Sequence, residues 1–117
     1  MTTRPAFDWS LLESIQVERR RERETQRQRL LTEVTNDLRK YQSRQPGLRF
    51  HVFGSLAQPG AFGLESDIDL AIEGLPPSAY WRVLREVEDL LQRENLNLVE
   101  LERCSFASQI RKHGLAV

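Results

Sequence analysis

A chain of 117 residues with 17 basic and 17 acidic side chains can form one domain with a modest core, and its zero net charge excludes general attraction to nucleic acid. Its single cysteine, Cys104, excludes an internal disulfide, and no apolar stretch approaches the roughly 20 residues of a membrane span. The first residues also carry no apolar signal segment. We therefore expect a cytoplasmic domain with no membrane contact and no direct nucleic-acid partner.

A long N-terminal helix is predicted from residue 8 to about residue 44. Asp8 or Ser10 can cap its start, and no Gly or Pro interrupts it before Pro46. Apolar residues recur in its second half at spacings of three and four, at Leu30, Leu31, Val34, Leu38 and Tyr41. We expect this half of the helix to pack on the domain.

The first half of the helix has a different character. The stretch 18–29, ERRRERETQRQR, contains six arginines, three glutamates and no apolar residue. A solvated helix with internal ion pairs is favoured over an RNA-binding arm, because acidic and basic residues alternate along it. Ahead of it, Trp9, Leu12 and Ile15 form a separate apolar stripe that is typical of a partner surface. We therefore predict an extension at 1–29, a possible partner-binding arm, and a domain at 30–117.

The rest of the chain alternates between strands and helices. Strands are predicted in LRFHVFG at 48–54, DIDLAIE at 67–73 and NLNLVELE at 95–102. A helix capped by Ser78 lies between the last two, with an apolar face at Trp81, Leu84, Val87, Leu90 and Leu91. A short final helix from about Ser105 to Lys112 stops at Gly114. This order predicts a small α/β (α+β) domain with helices covering a mixed sheet of three to four strands.

Two short motifs carry the chemistry. Gly54 permits close backbone approach after the first strand, and Ser55 beside it adds a hydroxyl donor to a turn that favours an anion. Asp67 and Asp69 share one face of the second strand, since residues two apart point the same way. Their repulsion is most easily relieved by a divalent cation. Together the motifs indicate a metal and phosphate site, although an isolated Asp-x-Asp is more often simply solvated.

These motifs resemble a known signature. GSLAQPG followed by SDIDLAI is similar to the signature of the minimal nucleotidyltransferases of the DNA polymerase beta superfamily, and the final QIRKHGLAV resembles their last helix and closing strand. The resemblance implies a small nucleotidyltransferase fold in which Gly54, Ser55 and Ser66 bind ATP as substrate. It also implies that Asp67 and Asp69 ligate Mg²⁺ while an acceptor hydroxyl attacks the α-phosphate and pyrophosphate leaves.

The chain departs from that pattern in three places. Gln58 stands where the family often has Arg, and Pro59 lengthens the gap to Asp67 by one residue. Asn97 occupies the position of the third catalytic carboxylate. Asn can accept a hydrogen bond but has no charge and cannot act as a base. Strand parity places Glu100 and Glu102 on the opposite face unless a bulge intervenes, so we expect catalysis by Asp67, Asp69 and Asn97 to be weakened or lost.

Family members of this size commonly act as the antitoxin of a pair whose toxin is a helical HEPN-type protein. The resemblance therefore implies a hetero-oligomer in which the toxin is neutralised by transfer of AMP to one of its tyrosines, or by binding alone. A nucleotidyltransferase that acts on a small molecule is the remaining alternative. His51 could face the phosphates but is more often a packed or solvated strand residue, and His113 suits the end of a helix.

Overall fold

The computed structural model describes residues 8–63 and 65–117, so the first seven residues of the predicted extension lie outside the described residues. The elements follow in the order α1 (Trp9–Ser43), β1 (Arg49–Phe53), a 3₁₀ turn (Gly54–Ala57), β2 (Ile68–Glu73), α2 (Tyr80–Leu91), β3 (Leu96–Glu100), a second 3₁₀ turn (Leu101–Arg103), α3 (Ala107–His113) and β4 (Leu115–Ala116). The predicted α+β class with a long N-terminal helix is confirmed.

The four strands form one mixed sheet in the order β3-β2-β1-β4. β1 pairs antiparallel with both β2 and β4, whereas β2 pairs parallel with β3. The parallel pair needs a crossover, which α2 provides, and β4 closes the sheet directly after α3. The starts of β2 and β3 and the end of β1 therefore lie at the same end of the sheet.

The core fills both faces of this sheet. Ile68, Leu70 and Ile72 of β2 are fully buried on the face covered by α1 and α2, as the alternation predicts. Ala71 is equally buried on the opposite face, where it packs with Leu101 and Ile110. Ala71 is buried although it lies on the same face of β2 as Asp69, because the short α3 covers that face beyond Asp69.

Helix α1 begins at Trp9, where Asp8 caps it by accepting a hydrogen bond from the Ser10 N–H at 3.0 Å. The predicted stripe of the second half is confirmed, since Leu30, Val34, Leu38 and Tyr41 are all buried. The stretch 18–29 is not uniformly solvated, because Arg27 is only 5% exposed. It lies on the same stripe, three residues before Leu30.

The outer half of α1 is exposed. The apolar residues Trp9, Leu11, Ile15 and Val17 are 67%, 61%, 40% and 45% exposed. Leu12 is half-buried, and no residue between 8 and 26 belongs to the buried core. None of the helices in the described part of the chain combines the length and the apolarity needed to cross a membrane.

Helix α2 differs from its prediction at its start and at one residue of its apolar face, since Leu84, Leu90 and Leu91 pack against the core as expected. Ser78 does not cap it, because Ser78 has a φ of 64° and its hydroxyl donates to the Pro77 carbonyl at 2.6 Å. The helix begins at Tyr80 and buries Val83 and Val87. Trp81 lies two residues from Val83, on the far side of the helix, and is 70% exposed instead of buried.

Candidate functional site

The sheet register brings the predicted site residues together. Phe53, the last residue of β1, is paired with Asp69, and Asp69 is paired with Asn97 on its other side. Asp67 lies one residue before β2 begins. Gly54 follows Phe53 directly, so the Gly-Ser turn, both aspartates and Asn97 meet at one end of the sheet.

Gly54 is required by close packing at this point. Its φ of +69° lies in the left-handed region, and a Cβ built on it would overlap the Asp69 Oδ2 atom. The backbone of the turn therefore touches the carboxylate directly. No other residue type fits here without moving Asp69.

The Asn97 side chain stands beside both aspartates. Its Nδ2 atom donates to Asp69 Oδ1 at 2.9 Å and lies 3.5 Å from Asp67 Oδ2. The amide thus places a partial positive charge beside two carboxylates, which reduces their mutual repulsion. After a flip of the amide, two carboxylates and one amide oxygen would form a donor set that suits Mg²⁺, which completes its shell with water and phosphate oxygens.

Neither Glu100 nor Glu102 reaches this group. The pairing of β2 with β3 continues without a bulge from Ile68 and Leu96 to Ile72 and Glu100. Glu102 accepts from the Gly74 N–H at 2.6 Å, at the other end of β2. Within residues 8–63 and 65–117, no three His, Cys, Asp or Glu side chains are grouped so that they could hold a metal ion.

The two serines lie in different surroundings. Ser55 is half-buried in the turn directly after Gly54, where its carbonyl accepts from the Gln58 N–H at 3.2 Å. Ser66 Oγ accepts from the Gly63 N–H at 2.9 Å, so that side chain closes the loop before Asp67. A nucleotide-binding role for Ser66 stays a prediction.

Two cavities flank the carboxylates. One, of about 390 Å³, includes Asp69 and Asn97 and is walled by Phe53, Tyr80 and Phe106. A second, of about 280 Å³, lies beside Gly54 and includes Gln58, Gln109 and His113 as well as the same two phenylalanines. Apolar walls with a few polar groups are typical of small-ligand sites. The aromatic walls were missed in the sequence because Tyr80 and Phe106 are distant from the motifs along the chain.

The two histidines are placed apart. His51 Nε2 lies 3.8 Å from Glu73 Oε2, and Arg111 donates a hydrogen bond to the same carboxylate. The Arg111 guanidinium is the main reason that the pKa of Glu73 is lowered. His51 therefore faces an ion pair two residues along β1 from Phe53, whereas His113 lines the second cavity.

Comparison with known proteins gives a match among the solved structures. No protein-family model and no curated protein matches this chain. Its fold is similar to that of a chain in the crystal structure of a toxin–antitoxin with AMP-PNP, with a TM-score of 0.56 and 27% sequence identity. The similarity covers 69% of this chain and 69% of the other.

The Gly54 contact can be tested with a matched pair of substitutions. We expect Gly54→Ala to reduce the free energy of unfolding by about 3 kcal/mol, because it adds a clash with Asp69 to the left-handed φ. Gly47→Ala should cost only about 1 kcal/mol, since Gly47 has a φ of +91° and no atom within 4 Å of the added Cβ. Urea unfolding measures both, and equal losses would contradict the close contact.

Proposed function

We propose that this protein is an antitoxin of the minimal nucleotidyltransferase type, which binds and neutralises a HEPN-type toxin by Mg²⁺-dependent transfer of AMP from ATP to a toxin tyrosine. The observation that carries the proposal is the group of Asp67, Asp69 and Asn97 against the Gly54 turn. The similarity of this chain to a chain in the crystal structure of a toxin–antitoxin with AMP-PNP supports the same proposal.

Each residue of the site would have a separate role in such a transfer. The Gly54 backbone and the Ser55 hydroxyl would contact the triphosphate, and Asp67 and Asp69 would hold Mg²⁺, which neutralises charge on the phosphates. Contact with Gly54 and the Asn97 amide fix Asp69, so its carboxylate is positioned before ligands arrive. The aromatic walls would pack against the nucleoside and exclude water.

The acceptor hydroxyl must lose its proton as its oxygen bonds to the α-phosphorus and pyrophosphate leaves. Asn97 has no basic oxygen that could take this proton. The proton therefore has to pass to Asp67, Asp69 or water. Transfer would proceed by positioning and charge neutralisation, with little help from a general base.

A binding-only antitoxin is the second candidate, and one contact favours it. The hydrogen bond from Asn97 to Asp69, with the same amide group beside Asp67, partly neutralises the carboxylate pair without any cation. A site stabilised in this way can persist as a packed structural element after turnover has been lost. In that case the toxin is neutralised by the interface alone.

The proposal is tested first by nucleotide binding. Asp67→Ala combined with Asp69→Ala should abolish Mg²⁺-dependent ATP binding in calorimetry, while the fold remains intact because two like charges are removed from one surface. Glu13→Ala combined with Glu18→Ala removes two acidic side chains from the exposed outer half of α1 and should leave ATP affinity unchanged. Equal ATP affinity in the wild type and the Asp67/Asp69 variant would contradict the assignment of the nucleotide site.

Catalysis is tested at Asn97. We expect the wild type to transfer AMP weakly to a HEPN-type toxin that it binds, and Asn97→Asp to raise the rate at least tenfold, equivalent to about 1.4 kcal/mol of barrier. The same variant should be less stable in EDTA and recover with Mg²⁺, because it adds a third negative charge to the group. Intact-mass measurement of the toxin follows the transfer. A fast wild-type enzyme that Asn97→Asp does not improve would show that another group replaces the third carboxylate.

The exposed apolar residues on the outer half of α1 are the proposed toxin contact. Deleting residues 1–17 should leave the thermal midpoint nearly unchanged, since no described residue before Arg27 is buried, but should weaken association with the toxin. Leu11→Ser with Ile15→Ser should reproduce the loss, and Glu13→Ala with Glu18→Ala should not. Titration calorimetry with the toxin measures each affinity. A truncated protein that unfolds, or that binds as tightly as the full chain, contradicts this assignment.

A further inference from the structure

Arg27 is a buried cation on the core face of α1. It is 5% exposed and lies three residues before Leu30 on the same stripe. A guanidinium in such a position is costly unless its N–H groups are paired. Each guanidinium nitrogen has an acceptor here, because Nε and Nη2 donate to Glu24 and Nη1 donates to the Leu56 carbonyl at 2.8 Å.

The bond to Leu56 connects α1 with the turn that contains the candidate nucleotide-binding residues. Leu56 is the third residue of the Gly54–Ala57 turn, and its own side chain is fully buried. Hydrogen bonds from a charged donor are stronger than those between neutral groups. The backbone of this short turn is therefore held from the helix at one point, two residues after Gly54.

Glu24 provides a second point of attachment. Its Oε2 atom accepts from the Gly60 N–H at 2.8 Å, just past the end of the same turn. The Arg27 guanidinium, followed by the Gly60 N–H, lowers the pKa of Glu24 to about 2, so this carboxylate is ionised at neutral pH. Gln58 and Pro59 lie between the two attached points, Leu56 and Gly60.

We propose that Arg27 is a positioning residue, which together with Glu24 holds the Gly54–Ala57 turn against Asp69 in the conformation that takes the triphosphate. The inference rests on the proposed function for its ligand, but the attachment itself can be measured without one. Loss of the guanidinium releases the Leu56 carbonyl and leaves Glu24 to hold Gly60 alone. The turn then becomes mobile while the rest of the domain stays folded.

The structure offers a control on the same helix. The Tyr41 hydroxyl donates to Glu86 on α2, so Tyr41 also connects α1 with the domain but has no contact with the turn. Tyr41→Phe removes the hydroxyl and its contact with α2 but keeps the buried ring. A general loosening of α1 and a specific release of the turn can therefore be separated.

The decisive experiment compares Arg27→Met with Tyr41→Phe by amide hydrogen exchange of residues 54–61 in the protein without ligand. We expect Arg27→Met to speed exchange there by about tenfold or more, while strands β2 and β3 stay protected. Tyr41→Phe should lower the thermal midpoint without changing exchange in residues 54–61. Unchanged exchange in Arg27→Met, or an equal increase in both variants, would overturn the inference.

ATP affinity measured by calorimetry with Mg²⁺ provides the second readout. Arg27→Met should bind ATP at least about fivefold more weakly than the wild type, Arg27→Lys should fall between them because it keeps the charge, and Tyr41→Phe should match the wild type. Full ATP affinity in Arg27→Met overturns the positioning role. A wild type that binds no ATP refutes the proposed function, and the exchange data then decide the attachment by themselves. If Arg27→Met fails to fold, Arg27→Lys and Glu24→Gln provide the same comparison.

Discussion

The contact between the Gly54 backbone and the Asp69 carboxylate is the constraint on which the rest of the site depends. It exists because Phe53 and Asp69 are partners in the antiparallel register, so the turn after β1 begins directly over the side chain that β2 presents. A shift of one residue in either strand would turn Asp69 to the core face and separate the two motifs. The buried residues Val52, Leu70 and Ile72 fix this register by packing under α1 and α2.

Electrostatics explains how Asn97 affects the stability of the Asp67 and Asp69 pair. Two carboxylates at the start of β2 repel each other, and a third carboxylate at position 97 would add to that repulsion in the absence of a cation. The Asn97 amide instead donates to Asp69. An amide at this position cannot act as a base but stabilises the carboxylate pair without a cation, so Asn97 bears on both proposed functions.

Much of the fold followed from local patterns, and the differences have identifiable causes. Ile68, Leu70 and Ile72 showed the strand period, and the helical spacing from Leu30 to Tyr41 showed the packed half of α1. Trp81 was assigned to the core because its spacing from Leu84 fits a helical face, but Val83 and Val87 are the buried residues of α2 and Trp81 lies across the helix from Val83. The burial of Ala71 could not be predicted from the sequence, because α3 packs against that face of the sheet through tertiary contacts alone.

The candidate site was predictable to a similar degree. Asp67 and Asp69 were identified because strand parity places them on one face, and Gly54 because a turn follows the first strand. Asn97 was identified only through the resemblance to the nucleotidyltransferase signature. Arg27 was not identified, although it continues the stripe of Leu30 and Val34 by one step. A charged residue at such a position ordinarily marks the end of the apolar face. Only the three-dimensional structure shows that the Leu56 carbonyl accepts a hydrogen bond from Arg27.

Helix α1 consequently belongs to two parts of the molecule at once. Its inner half packs in the core and is attached to the Gly54–Ala57 turn through Arg27, while its outer half extends apolar side chains away from the domain. No Gly or Pro interrupts it between Trp9 and Ser43, so no hinge is built into the connection. A protein bound to the outer half would hold a continuous helix that also fixes the turn. Any ordering of the turn by a nucleotide and any ordering of α1 by a partner would then be linked, and each would strengthen the other to the same extent.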